Sequence, residues 1–374
     1  MRLPLRLIFS IPLLIILINP TPTSAHFFPN ITAIPSSLIP NTTIWAAFSN
    51  LVGCKKGQKA DGLPKLKEYF QYFGYLNTSY SDFSDEFDDS LEIAVKTYQL
   101  NFNLNATGQI DAETIKRIVV PRCGNPDIVN GTSAMHPGKP SANSTIHTVA
   151  HYSFFPNRPR WPPSKSQLTY AFLPENQLSD VVKTVFSRAF ERWSEVTTLT
   201  FTEISSFNRA DIRIGFFSRE HGDGEPFDGV LGTLAHAFSP PTGRCHFDGE
   251  ENWVIDGDFL NGAPLSAVDL ESVAVHEIGH ILGLGHSSVE EAIMYPSISS
   301  GTRKVELADD DIMGIQELYG SNPNYNGSVS SLTPTGERET SGASRVDYWL
   351  WERGVLLVVG FINLSIIIHL DFFT

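Results

Sequence analysis

Three cysteines in 374 residues are too few for a disulfide scaffold, so this fold must rest on buried apolar surface and bound ions. Positive charge is also scarce: 27 Lys and Arg against 41 Asp and Glu leave a formal net charge of −14. That balance argues against nucleic acid as a partner, since such a partner needs a basic face, and it suits a chain that gathers cations. Long hydrophobic runs are confined to the two ends. The first follows Arg2 and Arg6, is interrupted by Pro12 and leads to Thr23-Ser24-Ala25, the layout of a cleaved signal peptide over residues 1–25. It is too short and broken for a transmembrane helix. Asn-x-Ser/Thr sequons at Asn30, Asn41, Asn77, Asn105, Asn130, Asn143 and Asn326 fit an exported glycoprotein.

The most informative stretch is His276-Glu277-Ile278-Gly279-His280-Ile281-Leu282-Gly283-Leu284-Gly285-His286. On a helix, His276 and His280 lie one turn apart on one face and can reach a single zinc ion. Glu277 is rotated from that pair but close enough to take a proton from a metal-activated water. Gly283 tolerates the positive φ of a chain reversal, which brings His286 in as a third ligand and leaves a fourth position open. Ala292-Ile293-Met294-Tyr295-Pro296 follows, with Met294 placed to pack beneath the metal without ligating it. Three histidines, a glutamate and a glycine in register outweigh the alternative of a buried helix with ordinary core histidines. Together with the following Met-turn, this is the metzincin signature.

Upstream, Pro121-Arg122-Cys123-Gly124-Asn125-Pro126-Asp127 sets one cysteine in a turn-rich segment beside an arginine. A thiolate is a good zinc ligand, and a nearby cation lowers a thiol pKa. A lone cysteine in an exported chain is more often half a disulfide. Beside the histidine run, however, the segment resembles the cysteine switch of the matrix metalloproteinases, and the resemblance spans residues 51–320. It implies a latent form in which Cys123 occupies the fourth zinc position, with Arg122 held by Asp127. With Cys123 on zinc, Cys54 and Cys245 are either two free thiols or, less favoured, a disulfide tethering two parts of the chain.

The expected fold is α+β: a small three-helix propeptide bundle followed by a metzincin-type catalytic domain with a twisted mixed sheet and packed helices. Periodicity places helices over residues 63–73, over 91–102 with Ile93, Ala94, Tyr98 and Phe102 inward, and after Asp111 with Ile115, Ile118 and Val119 inward. Residues 131–151 read as an exposed activation linker open to a protease. Strands are expected over 167–173, 199–203 and 211–217. A helix capped by Ser179 should run to Val196, with Val182, Phe186, Ala189, Phe190 and Trp193 inward. Ser266 and Asp269 suggest a capping box opening the zinc helix. The parts are a signal peptide (1–25), an N-terminal extension (26–50), the propeptide with its switch (51–130), the linker (131–151), the catalytic domain (152–320), a Ser/Thr/Gly-rich stalk (321–344) and the C-terminal tail (345–374).

Residues 219–253 form a loop-rich stretch carrying His221, Asp223, His236 and His246, a three-histidine, one-carboxylate set suited to structural zinc. The resemblance implies that these four hold it. It also implies that Asp228, Asp248 and Glu251, with the carbonyls of Gly229, Leu231 and Thr233, hold calcium. The 236–246 stretch is shorter than in many animal relatives and carries Cys245, and no propeller domain follows residue 320. In both respects the chain is most similar to the plant matrix metalloproteinases.

At the C-terminus, the small residues Ser341, Gly342, Ala343 and Ser344, a polar spacer and an apolar tail form a pattern for GPI attachment. The alternative is a transmembrane helix over about 349–370. The implied activity is a zinc endopeptidase made as a zymogen, acting on extracellular proteins or peptides, released by an activating protease and held at the outer face of the plasma membrane. The other readings are a catalytically weak surface binding protein and a cell-wall amidase. Intact Glu277 argues against the first of these.

Overall fold

The computed structural model describes residues 48–76, 83–135, 151–255, 257–259 and 262–327. The expected signal peptide, Asn30, Asn41, Asn77, Asn143, most of the expected linker and stalk, Ser341 to Ser344 and the apolar tail lie outside them. Of the sequons within, Asn105, Asn130 and Asn326 are all exposed. No helix among the described residues is long and apolar enough to cross a membrane.

Three helices come first: α1 (Leu63–Tyr72), α2 (Asp89–Asn101) and α3 (Ala112–Ile118). The carboxylate of Asp88 caps α2 by accepting from the Leu91 N–H, and Asp111 caps α3 by accepting from the Thr114 N–H. The inward face of α2 is Leu91, Ala94, Val95 and Tyr98. Ile93, expected inward, is 65% exposed, because the true period passes through its neighbour Val95. Val119 is only half-buried, since the helix has ended at Ile118. Aromatic side chains fill the bundle: Tyr69, Phe70, Phe73, Tyr75, Tyr98 and Phe102 share one core.

After β1 (Arg122–Cys123) and a short hairpin of β2 (Ile128–Val129) and β3 (Thr132–Ser133), the second part is built on a sheet of β4 (Gln167–Phe172), β5 (Thr200–Glu203), β6 (Ile212–Phe217), β7 (Thr233–Ala237) and β8 (Arg244–Asp248). β5, β4, β6 and β8 run parallel, and β7 pairs antiparallel to β8 at one edge. Two helices cover the sheet. In α4 (Asp180–Val196), capped by Ser179, Val185, Phe186, Ala189, Phe190, Trp193 and Val196 face inward, while Val182 is half-buried. Each large apolar side chain buried there contributes roughly 1.5–3 kcal/mol.

Every residue of α5 (Leu270–Ile281) is buried, as expected of a helix threading the core. Its N-cap is Asp269 itself, whose carboxylate accepts from the Ser272 N–H and Oγ. Ser266 instead bonds Asn252, so the expected capping box is replaced by a single aspartate cap. A last helix, α6 (Asp309–Tyr319), closes the domain.

The two parts meet along β7. Residues Arg122–Cys123 form β1, a sixth strand added parallel to the β7 edge. The Arg122 N–H donates to Gly232 O at 2.7 Å and the Gly124 N–H to Ala235 O at 2.8 Å. On its other side the Cys123 N–H donates to Pro296 O and the Ile298 N–H to Pro121 O. The segment is thus clamped between a sheet edge and the 296–298 wall.

Candidate metal centre and its latch

α5 presents His276 and His280 to one point, and the chain then has to reverse. Gly283 does this at φ +107°, where a Cβ would sit 2.2 Å from Pro159 O. Gly279 matters for a different reason: a Cβ there would meet Met294 Sδ at 2.3 Å, so its absence lets Met294 pack directly against the helix. The 293–294 turn is held by Asp311, whose carboxylate accepts from the N–H groups of Ile293, Met294 and Ala308.

The nitrogen atoms are sorted by their partners. His276 Nδ1 lies 2.7 Å from Ile293 O, His280 Nδ1 lies 2.8 Å from Leu284 O, and His286 Nδ1 lies 2.8 Å from Asp127 Oδ1. Each partner is acceptor-only, so each Nδ1 carries the proton and each Nε2 offers a lone pair. The Nε2 atoms of His276 and His286 are buried with no hydrogen-bond partner. Cys123 Sγ lies 3.5 Å from His280 Nε2. One ligand atom from each of Cys123, His276, His280 and His286 lies within 4.8 Å of the others, and all four residues are buried. Orphaned lone pairs converging on one point are what a soft divalent ion satisfies, and three imidazoles with one sulfur suit zinc. Burial and mutual repulsion hold His276 and His280 well below the usual imidazole range, in the neutral form that ligates.

Glu277 stands beside this group with both carboxylate oxygens buried and unpartnered, and burial pushes its pKa up to about 8. A buried carboxylate not engaged by an ion pair is free to take a proton from a water.

The latch is more extensive than one thiol. The buried Arg122 guanidinium donates to Asp127 Oδ1 at 2.7 Å and to Tyr69 Oη at 3.2 Å, and lies 3.6 Å from the centre of the Phe73 ring. Tyr75 Oη donates to Asp127 Oδ2 at 2.8 Å. Burial opposes the charge on Asp127, yet Arg122 and His286 hold its carboxyl down to about 2. Asn125 pairs both ways with the backbone of Ala237. Arg122 does act to lower the thiol, as expected, but its effect is outweighed. Burial, followed by the nearby Glu277, pushes the Cys123 thiol well up, and the arginine charge is neutralised by Asp127. The cation able to make Cys123 a thiolate is the metal.

A second group lies near the surface. Asp223 Oδ2 is 3.0 Å from His221 Nε2, 2.8 Å from His236 Nε2 and 2.7 Å from His246 Nδ1. His221 is stacked between Phe217 and Phe227. These four ligand atoms also lie within 4.8 Å of one another.

The acidic residues beyond are looser. Asp228 accepts from the Thr233 N–H, and Asp248 from the Gly229 and Glu250 N–H groups. Glu251 has both oxygens buried and unpartnered, and burial beside Asp248 and Asp228 pushes it up to about 8. Leu231 holds a φ of +66°, uncommon for a side chain of its size. Hard carboxylate oxygens that repel one another are the donor type calcium takes. Cys54 and Cys245 are both free and buried, Cys54 in the bundle core and Cys245 in the sheet core, so the less favoured disulfide tether is not formed.

This arrangement defines a metal-dependent hydrolase closed by a segment of its own chain. The matrixin family model matches residues 160–320, and a peptidoglycan binding domain model matches residues 59–118. Metalloendoproteinase 2-MMP of Arabidopsis thaliana is 58% identical over 334 residues, covering 87% of this chain and 88% of its own length. Metalloendoproteinase 1 of Glycine max is 51% identical, covering 71% and 85%. Matrilysin of Homo sapiens is 36% identical, covering 71% and 91%. The chain belongs to the matrixin family of matrix metalloproteinases and is a zinc metalloendopeptidase whose cofactors are zinc and calcium.

Several contacts of the site escape a reading of the sequence. The contact of Asp127 with His286 joins positions 159 apart, and Asp311 reaches the Met-turn across 17 or more. The one available signal was the Asp309-Asp310-Asp311 run at the start of α6, which reads equally well as ordinary helix-start charge.

Proposed function

We propose that this chain is made as a latent endopeptidase, exported, and activated when residues 51–130 are cut away through the 131–151 linker. The observation that carries this reading is the placement of Cys123 Sγ among the three histidines, on a strand that fills the cleft. His276, His280 and His286 would hold the catalytic zinc, with Cys123 as fourth ligand before activation. His221, Asp223, His236 and His246 would hold the structural one. Asp228, Asp248 and Glu251, with the carbonyls of Gly229, Leu231 and Thr233, would hold calcium. Bound zinc supplies Lewis acidity that activates water and polarises a carbonyl.

Glu277 takes the proton of the attacking water and passes it to the leaving amine. An extended substrate pairs along β7, in the groove that Arg122–Gly124 fills in the latent chain. The cavity beside Glu277, lined by Leu234, Val273, Ile293, Tyr295 and Ile298, receives an apolar side chain. Met294 is the packing floor. The substrates are extracellular proteins or peptides. The mature enzyme sits at the outer face of the plasma membrane, through a lipid near Ser341 to Ser344 in preference to a spanning helix, with Asn105, Asn130 and Asn326 among its glycosylation sites.

The test is Glu277→Gln in the activated enzyme. Zinc content measured by atomic absorption stays at the parent value, while peptide hydrolysis falls by about 10²- to 10⁴-fold. Near-parent turnover would remove Glu277 from this role. The match to a peptidoglycan binding domain supports one competing reading, an amidase acting on cell-wall glycans. Cleavage of a glycan-linked substrate in preference to a peptide library, abolished by chelator, would favour it.

A further inference from the structure

The three histidines are not held in the same way. His276 and His280 direct Nδ1 at backbone carbonyls of Ile293 and Leu284, groups that belong to the same domain and stay with it. His286 directs Nδ1 at Asp127, a propeptide side chain that is 0% exposed and lies 159 residues upstream. Among the described residues Asp127 is the one hydrogen-bond partner of that nitrogen. The same oxygen accepts from Arg122, and the other from Tyr75, so the carboxylate is fixed on three sides.

We infer that Asp127 is a positioning residue of the zinc centre as well as an anchor of the latch: it is the carboxylate that orients and polarises His286. A carboxylate on the far nitrogen of a ligating imidazole fixes its tautomer and raises its basicity. Because Asp127 leaves with the propeptide, activation removes two things from the metal at once, the sulfur ligand and the outer partner of the third histidine. The latent chain therefore holds its catalytic zinc through a better His286 than the mature enzyme does. The inference rests on the ligand set proposed above.

The test separates the two losses by working in full-length, zinc-loaded Cys123→Ser protein that also carries Glu277→Gln, so that sulfur ligation is gone and the chain does not cut itself. Zinc release to a chromogenic chelator should show two phases, one for each histidine group. Adding Asp127→Asn should speed the catalytic-site phase about tenfold, the lower end of the effect of outer-partner loss. The phase from the His221 group should not change. In the parent, the His286 imidazole N–H should give a downfield proton resonance that disappears in the Asp127→Asn protein. Equal release rates with the resonance retained would overturn the inference.

Should the variant fold poorly, Asp127→Glu, which keeps the charge beside Arg122 but displaces the carboxylate from His286 Nδ1, makes the same comparison with the segment still docked. Faster release then supports the inference, and unchanged release overturns it. Failure of the underlying ligand assignment would look different: His286→Ala in the same background would keep both zinc phases at parental rates.

Discussion

The two metal groups use nearly the same chemistry and differ in where the fourth donor comes from. In the His221 group, Asp223 is two residues from the first histidine, and its carboxylate touches all three imidazole nitrogens. In the His276 group, the proposed fourth donor is Cys123, more than 150 residues upstream, on a strand of another module. A local fourth donor closes a site for as long as the loop is folded. A remote donor closes it only for as long as the remote segment is docked. On the ligand sets proposed above, locality of one ligand separates a structural site from a switchable one.

Deleting each fourth donor is the strongest way to break the comparison. Cys123→Ser should raise the activity of the uncut chain on a quenched peptide from near zero to a readily measured rate, because a hydroxyl is a far poorer zinc ligand than a thiolate. Asp223→Ala should give no gain in activity and should destabilise the catalytic domain by on the order of 3–5 kcal/mol, read as a fall in Tm by calorimetry. An uncut Cys123→Ser protein as silent as the parent would mean that the bundle blocks the cleft by bulk alone.

A smaller effect is expected beneath the switchable site. Gly279→Ala forces Met294 away from the helix and should cost about 1–3 kcal/mol in urea unfolding, with the His221 group still loaded. The smallest concerns the seam between the two groups. Tyr72 of the bundle donates to Glu225, two residues from Asp223, at 3.0 Å. Tyr72→Phe should weaken docking by about 0.5–1.5 kcal/mol, seen as modestly faster activation by an added protease, and leave the mature enzyme unchanged.

Legibility followed the same division. The His276–His286 run could be read because helix geometry and one glycine turn place its three imidazoles without help from elsewhere. Asp111 and Ser179 were legible as caps because capping is local. Ile93 differs from expectation because both Ile93 and Val95 fit an apolar stripe, and only packing within the bundle core selects Val95. The cap of α5 differs because a box spaced by three residues and a lone aspartate cap share the same residue types. Contacts such as Asp127 with His286, or Asp311 with the Met-turn, depend on tertiary closure and leave no periodic trace.

The sixth strand has one more consequence, for how this protein can be stored. The carbonyls of Gly232 and Ala235 on the outer edge of β7 are satisfied in the latent chain by the N–H groups of Arg122 and Gly124. Removal of the propeptide bares that edge, and an uncovered sheet edge accepts any extended chain that meets it, including another copy of the same enzyme. The uncut protein can therefore be kept concentrated, whereas the cut form is best used dilute or with substrate already present.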